Sequence, residues 1–551
     1  MHVDSSKTTR NGKTYHRHLL RESYREANKV KHRTIANLSR CSNEEIEAIR
    51  LALRHKGDLE ALVKQRPALV LRQGLSVGAL WTLFDMARQL GIERALGDTR
   101  QGRLALWQVI ARVIHQGSRL SAVRLAGVHA ACDVLGLDAF NEEDLYGNLD
   151  WLCEHQEAIE KHLSHGRAGN DGLFLYDVTS SYLEGTQNEL GAFGYNRDRK
   201  RGKMQIVIGL LCDGEGDPLS IEVFEGNTQD TRTFGPQIRK VAQRFGGGAV
   251  TFVGDRGMIK APQIQELGAQ GFHYITAITK DQIRTLLRSG TIQMELFDTD
   301  LAEVCAPGGE RYVLRRNPVR AQEMAASRED KLLALRQAMD SRNAYLRAHG
   351  RANLSIALRD LSARARNLGI APWVELTGDE QTRQIALHVD AQKRGEAAQF
   401  DGCYVLKTDL TAQMASKEIV HGRYKDLALV EEAFRTSKTA ELEIRPIHVR
   451  LATRTRGHAL VVMLAYRIAR ELSQRWASLD IRVQEGLDEL AGLCVTEIVE
   501  KGRARCSQIP EPRESSRKLL EAAKIRLPEA LACRGVVVST KKKLPERRSQ
   551  N

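Results

Sequence analysis

Leu173-Phe174-Leu175-Tyr176-Asp177-Val178-Thr179 reads as a buried strand by its aromatic and branched residues, interrupted by one aspartate. A basic loop follows, with Arg197, Arg199, Lys200, Arg201 and Lys203. Two more strands are predicted over residues 205–212 and 219–224, separated by the turn Asp213-Gly214-Glu215-Gly216-Asp217-Pro218. Spacing this short predicts an antiparallel meander. A helix over 234–245 is ended by Gly246-Gly247-Gly248. Residues 249–257, Ala-Val-Thr-Phe-Val-Gly-Asp-Arg-Gly, form another buried strand that runs into a second aspartate, Asp255. A helix over 262–269 and a strand over 272–278 complete an α/β layer arrangement with a mixed sheet flanked by helices.

Further along, residues 421–438 form a predicted helix. At about 100° per residue, Tyr424, Leu427, Glu431, Phe434, Arg435 and Lys438 fall within an arc of roughly 100°. Burying an uncompensated charge costs several kcal/mol, so an acid on this face needs a partner. Glu432 points about 100° away, which separates the two acids and singles out Glu431. We expect that partner to be a metal shared with Asp177 and Asp255. Each of the three acids breaks a local rule, in mid-strand, at the end of a buried strand between glycines, and on an apolar helix face; local rules tend to fail at functional sites.

The rest of the chain is read around this unit. Residues 280 to about 400 interrupt it with a long charged helix over 321–346, a second helix over 354–367 and strands over 373–376 and 384–389. We expect a domain-sized α/β insertion over 281–400, between a first catalytic part at 169–280 and a second at 401–475. Trp373 is read as core. Toward the amino terminus, residues 15–38 predict a basic β-hairpin carrying Arg17, Arg21, Arg25, Lys29, Lys31 and Arg33, suited to lie along a phosphate backbone. Its His16, His18 and His32 lack the Cys or carboxylate support of a metal site. Ser42-Asn43-Glu44-Glu45 is a capping box, and the pattern over 75–165 is almost wholly helical. Residues 1–168 are therefore expected as a hairpin plus a helical DNA-binding region, with a linker over 165–172. An apolar helix through Ala459–Tyr466 is expected under the sheet. Residues 476–551 are expected as a helical and basic tail, irregular from Arg503.

With 83 Lys and Arg against 69 Asp and Glu, the chain carries a formal net charge of +14, which suits a polyanionic partner. No apolar run approaches the ~18 residues of a membrane span, and the first residues lack the apolar core of a secretory signal, so an intracellular protein is expected. The cysteines contain no Cys-x-x-Cys pair, which argues against a zinc knuckle or a disulfide framework.

Three oxygen donors without Cys or His suit a hard cation such as Mg²⁺. Two such ions about 4 Å apart activate an attacking hydroxyl and stabilise the leaving oxygen of an in-line displacement at phosphorus. Lys203, Arg256, Arg435 and Lys438 would hold the polyanionic strand and offset transition-state charge.

Tyr-Asp-Val-Thr at 176–179, Gly-Asp-Arg-Gly at 254–257 and Tyr424-x2-Leu427-x3-Glu431-x6-Lys438 resemble the three motifs of bacterial insertion-sequence DDE transposases of the Tyr-Arg-Glu-Lys type. Gly226-Asn227-Thr228 and Arg445-Pro446 share the resemblance. It implies a ribonuclease H-like fold with an insertion before the last acid. It implies Asp177, Asp255 and Glu431 as catalytic metal ligands for two Mg²⁺ ions, with Mn²⁺ as a substitute, and counts Tyr424 with the DNA-binding residues. The implied activity is cut-and-paste transposition on double-stranded DNA, at least as a homodimer, in the bacterial cytoplasm at the nucleoid. Leu427 stands where many members carry Arg, leaving a phosphate contact to Arg423 or Arg435. The competing readings are a metal-dependent nuclease of the same fold and a captured DNA-binding protein without catalysis.

Overall fold

The computed structural model describes residues 1–10, 13–27, 29–57, 70–164, 172–195, 197–198, 200–244, 250–439, 442–445, 447–500 and 503–541. The expected linker (apart from Gly172), Arg199, Gly246-Gly247-Gly248, Pro446 and the basic residues Lys542, Lys543, Arg547 and Arg548 lie outside the described residues.

β1 (His2–Arg10), β2 (Lys13–Glu26) and β3 (Lys29–Asn37) form an antiparallel three-stranded sheet. The hairpin is there, and β1 adds a strand that its polar sequence did not announce. The capping box opens α1 (Asn43–Arg54): Ser42 Oγ accepts from the Glu45 amide and the Glu45 carboxylate from the Ser42 amide. β4 (Val70–Ser76) precedes a helical region, as expected: α2 (Gly78–Gln89), α3 (Ile92–Leu96), α4 (Arg100–Ile114), α5 (Arg119–Ala126), α6 (Ala131–Leu135) and α7 (Glu142–Ser164).

The main sheet begins with β5 (Leu173–Tyr182), β6 (Gln205–Asp213) and β7 (Pro218–Glu225), an antiparallel meander. α8 (Asp230–Arg244) leads to β8 (Thr251–Gly254), and α9 (Ala261–Ala269) to β9 (His273–Ala277). β8 runs parallel to both β5 and β9. The resulting run β7-β6-β5-β8-β9 is ribonuclease H-like, as the motifs implied.

After α10 (Lys280–Arg288), β10 (Ala302–Cys305) and β11 (Arg311–Arg316) turn back into the same sheet. The insertion with its own core therefore starts later than residue 281. It comprises α11 (Pro318–Ala348), α12 (Leu354–Leu368), the β12 (Val374–Asp379)–β13 (Gln384–Val389) hairpin and α13 (Ala391–Ala398), with Trp373 in its core at 4% exposure. β14 (Cys403–Thr408) returns between β11 and β9 to complete an eight-stranded sheet in the order β10-β11-β14-β9-β8-β5-β6-β7.

The predicted helix over 421–438 is two helices, α14 (Lys417–Lys425) and α15 (Leu427–Lys438), meeting at Asp426. α16 (Ala452–Trp476), the apolar helix, is buried along most of its length between the sheet and α4 and α7. The carboxyl-terminal part is more ordered than expected from residue 503. After α17 (Val483–Ala491), β15 (Cys494–Glu500) pairs with β4 and with β16 (Arg503–Gln508). β17 (Ala530–Leu531) follows α18 (Glu514–Ala522) and pairs with β16. β4 and the three carboxyl-terminal strands thus share one sheet.

Side chains alternate across the main sheet, as the period of two requires. Phe174, Tyr176 and Val178 of β5 pack with Phe234 and Ile238 of α8. Leu175 and the β6 residues Ile206, Ile208 and Leu210 join the core that contains α15 and α16. Asp177 shares the parity of Leu175, and so belongs to the face where α15 lies. Gly209, paired with Val178, makes room for the Tyr176 ring: a Cβ there would stand 2.2 Å from the hydroxyl.

Candidate active site

β5 and β8 run parallel with Tyr176 level with Gly254. The next residue on each strand is an aspartate, so the register alone sets Asp177 beside Asp255. β8 ends at Gly254, and Asp255 is exposed in the turn beyond it. The Arg256 amide donates to Asp255 Oδ1 at 2.7 Å, and the Tyr424 hydroxyl donates to the same oxygen at 3.4 Å. α14 therefore delivers Tyr424 to the second aspartate. Burial, then the Asp255 charge, raises the Tyr424 phenol and keeps it a proton donor.

α15 packs on β5 and buries Val430, Ala433, Phe434 and Ser437. This corrects the stripe inferred from the helical wheel: Glu431 and Arg435 are exposed, at the border of the buried stripe rather than within it. The break at Asp426 uncouples the wheel of α14 from that of α15. The two acids nevertheless part as expected. Glu431's charge acts on Asp177 and Tyr424, whereas Glu432's acts on Tyr466 of α16.

Asp177 registers the assembly. Burial pushes its carboxyl up to about 7; the Val178 amide pulls it down, Asp255 and Glu431 push it up, and Arg197 pulls it down. Like charges gathered around a half-buried carboxyl are what a bound cation relieves, and the donor set is all oxygen, so the residues fit a hard divalent ion in chemistry. Among the described residues no three His, Cys, Asp or Glu side chains stand tightly enough together to hold an ion as they are.

Arg197 is one of the five basic residues of the loop after β5. Its Nη2 donates to both oxygens of Asp230, at 2.7 and 2.8 Å, and its amide donates to Ser180 Oγ at 2.9 Å. The guanidinium carbon also lies 5.9 Å from the centre of the Tyr195 ring. No signal in the sequence separated it from Arg201 or Lys200. Beside it, Arg197, Asn227, Asp230, Gly257 and Lys260 line an open cleft of about 550 Å³. The Gly226-Asn227-Thr228 motif thus borders the same opening as the Gly-Asp-Arg-Gly motif.

The other site candidates divide. Arg256 and Arg435 are exposed and without an ion pair among the described residues. Lys203 is exposed and pairs with Glu184 at 2.9 Å. Lys438 does not face solvent as a free cation. Its ammonium donates to Asp198 at 2.9 Å, with Arg445 on the same carboxylate, and Asp198 is 2% exposed. Burial lowers the Lys438 pKa, and the Asp198 bond opposes this. Leu427 packs against the hydrophobic core, so it makes no phosphate contact.

Fold and acid placement together define a class, the ribonuclease H-like proteins, with one carboxylate within a central strand and a second just past the end of the parallel strand beside it. The chain belongs to the transposase DDE domain family, whose model matches residues 169–468, more than half of its length. Residues 3–64 also match the amino-terminal domain of IS1634 family transposases. It is an insertion-sequence DDE transposase, an enzyme that cleaves and transfers DNA. No curated protein matches the chain in sequence. Among solved structures, it is similar to the piggyBac transposase synaptic complex with hairpin DNA, at 10% identity over 75% of each chain and a TM-score of 0.33. It is also similar to the Mos1 transposase paired-end complex with the left transposon end, at 10% identity over 29% of this chain and 53% of that one, with a TM-score of 0.15. At such scores the fold rests on the strand order and the family on the sequence match. Among the described residues, no helix is long and apolar enough to cross a membrane.

Proposed function

We propose that this transposase binds the terminal inverted repeats of its element, cleaves each end to free a 3′-hydroxyl, and joins that hydroxyl to target DNA. What supports the reading is the parallel register that sets Asp177 beside Asp255, with α15, which carries Glu431, packed on the same strand. Asp177, Asp255 and Glu431 are the residues that would hold Mg²⁺, or Mn²⁺ in its place. When bound, the metal supplies Lewis-acid stabilisation of the reacting phosphate oxygens.

The protein's own groups do the rest. Tyr424 holds Asp255 through its hydroxyl. Arg197, fixed by Asp230, presents positive charge beside Asp177. Arg256 and Arg435 grip the strand through phosphates, with Lys203 at the margin. Lys438 acts by tying α15 to the 197–198 segment through Asp198. The exposed β1–β3 sheet, with Arg17, Arg25 and Lys29 on its strands, carries the backbone contacts to the ends. Synapsis of two ends implies at least a homodimer, acting at the nucleoid.

The test is a reaction with a pre-cut element end, target DNA and Mg²⁺. Joined products support transposition. Hydrolysed target without joined product supports the nuclease reading instead.

A further inference from the structure

Away from the carboxylates, α4, α5 and α16 bring three cationic or potentially cationic side chains together in the interior. Arg112, Arg119 and His458 are each only 6% exposed. Arg119 Nη2 lies 3.0 Å from His458 Nδ1; a guanidinium only donates, so this nitrogen is the acceptor and the imidazole is neutral. Arg112 Nη2 donates to the Gly117 carbonyl at 3.1 Å. The Nε–H of both arginines is buried without a hydrogen-bond partner, and neither forms an ion pair among the described residues. Glu443, which is exposed, is the acid whose charge reaches Arg112. Burial lowers Arg112 to about 10 and Arg119 to about 9, with Arg112 further lowering Arg119. Two close, dry guanidiniums with unmade N–H bonds are costly to maintain. A tetrahedral oxyanion, with several acceptor oxygens for two guanidinium forks, answers both deficits.

We propose that Arg112, Arg119 and His458 form a site for a phosphate group of the DNA backbone, beside the 115–118 connection whose Gly117 carbonyl Arg112 already touches. This rests on the DNA-binding reading above. DNA is favoured over a free anion because the chain is a DDE transposase with a formal net charge of +14. Exposed His448 acts electrostatically both on His458 and on Glu184, and Glu184 is held down first by Lys203 and also by Lys200. Beyond α15, the Ile447 carbonyl accepts from the Glu184 amide at 3.1 Å, beside the end of β5. A phosphate bound there takes the Arg112 contact now made by the Gly117 carbonyl.

The experiment uses the full chain, a DNA duplex of arbitrary sequence and inorganic phosphate as the small probe. The Arg112→Met/Arg119→Met variant should lower the slope of log Kd against log salt by about one, the value for one lost phosphate contact. Phosphate should raise the melting temperature of the wild type above that in chloride of equal ionic strength, and leave the variant unmoved. Arg119→Gln serves if the double variant does not fold, and Arg112→Lys/Arg119→Lys should recover most of the slope. An unchanged slope in a folded variant overturns the proposal. A phosphate effect with an unchanged DNA slope also overturns it, assigning the site to a free anion. A wild type that binds no DNA removes the underlying reading instead.

Discussion

Asp177 and Asp255 are neighbours because β5 and β8 run parallel with Tyr176 level with Gly254. Strand register, not loop conformation, sets the pair, and α15 then brings Glu431 within electrostatic reach. Two rigid strands and a packed helix are suited to hold groups that must not drift while a phosphate reacts. The consequences can be measured one residue at a time.

Arg197 offsets the acids around Asp177. Arg197→Met should reduce single-turnover cleavage by roughly 10²-fold, the lower end of the loss on removing one charge-stabilising donor. Asp230→Asn, which leaves the guanidinium less firmly held, should cost less, and duplex binding should hardly change in either. Full cleavage by Arg197→Met would remove it from the site.

Tyr424 touches Asp255 through one long hydrogen bond of 3.4 Å. A well-formed hydrogen bond to a carboxylate is worth about 1.5–3 kcal/mol, and this one is stretched, so Tyr424→Phe should slow cleavage by about tenfold or less. A much larger loss would show that the hydroxyl meets the DNA itself.

Asp198 is 2% exposed and serves both Lys438 and Arg445. Asp198→Asn leaves two cations half-buried without their anion and should lower unfolding free energy by about 2–4 kcal/mol, read by chemical denaturation. Lys438→Met should be milder, because Arg445 still pairs the aspartate. Equal stability of Asp198→Asn and wild type would contradict the tie between α15 and the 197–198 segment.

The Asp177 carboxyl, raised to about 7, gives a pH dependence whose sign is fixed. The folded state binds this proton more tightly than the unfolded chain, so the stability it confers is full at acid pH and is lost as pH rises through about 7. Without divalent cation, the wild type should therefore lose up to about 4 kcal/mol between pH 4 and pH 8, less whatever water access relieves. Asp177→Asn should flatten that slope, and Mg²⁺ should restore stability above pH 7 to the wild type alone. Identical pH profiles for the two proteins would count against the crowding of acids.

Much of this was legible in the chain because buried strands announce themselves. Residues 173–179 and 251–254 are apolar runs, and an aspartate within or just after such a run has few structural uses. The fold's remaining features depend on partners far away in sequence. β1 has a polar sequence with no alternation and exists because β2 pairs with it. β4 and β15 are more than 400 residues apart, and their pairing is invisible to any local pattern. The division at Asp426 carries no glycine or proline, so the wheel drawn over 421–438 placed Glu431 among buried residues, when it is exposed. Lys438 looked like a phosphate contact by position, and Asp198 lies 240 residues away from it. Arg197 was one basic residue among five until Asp230 and Asp177 gave it a place.

The most direct measurement is Mg²⁺-dependent cleavage of an element end by Asp177→Asn, Asp255→Asn and Glu431→Gln, with Glu432→Gln as the neighbouring control and duplex binding measured in parallel. The first three should lose cleavage by roughly 10³-fold or more while still binding DNA, and Glu432→Gln should cleave like the wild type. Full cleavage by any of the three, or loss of cleavage confined to Glu432→Gln, would contradict the assignment.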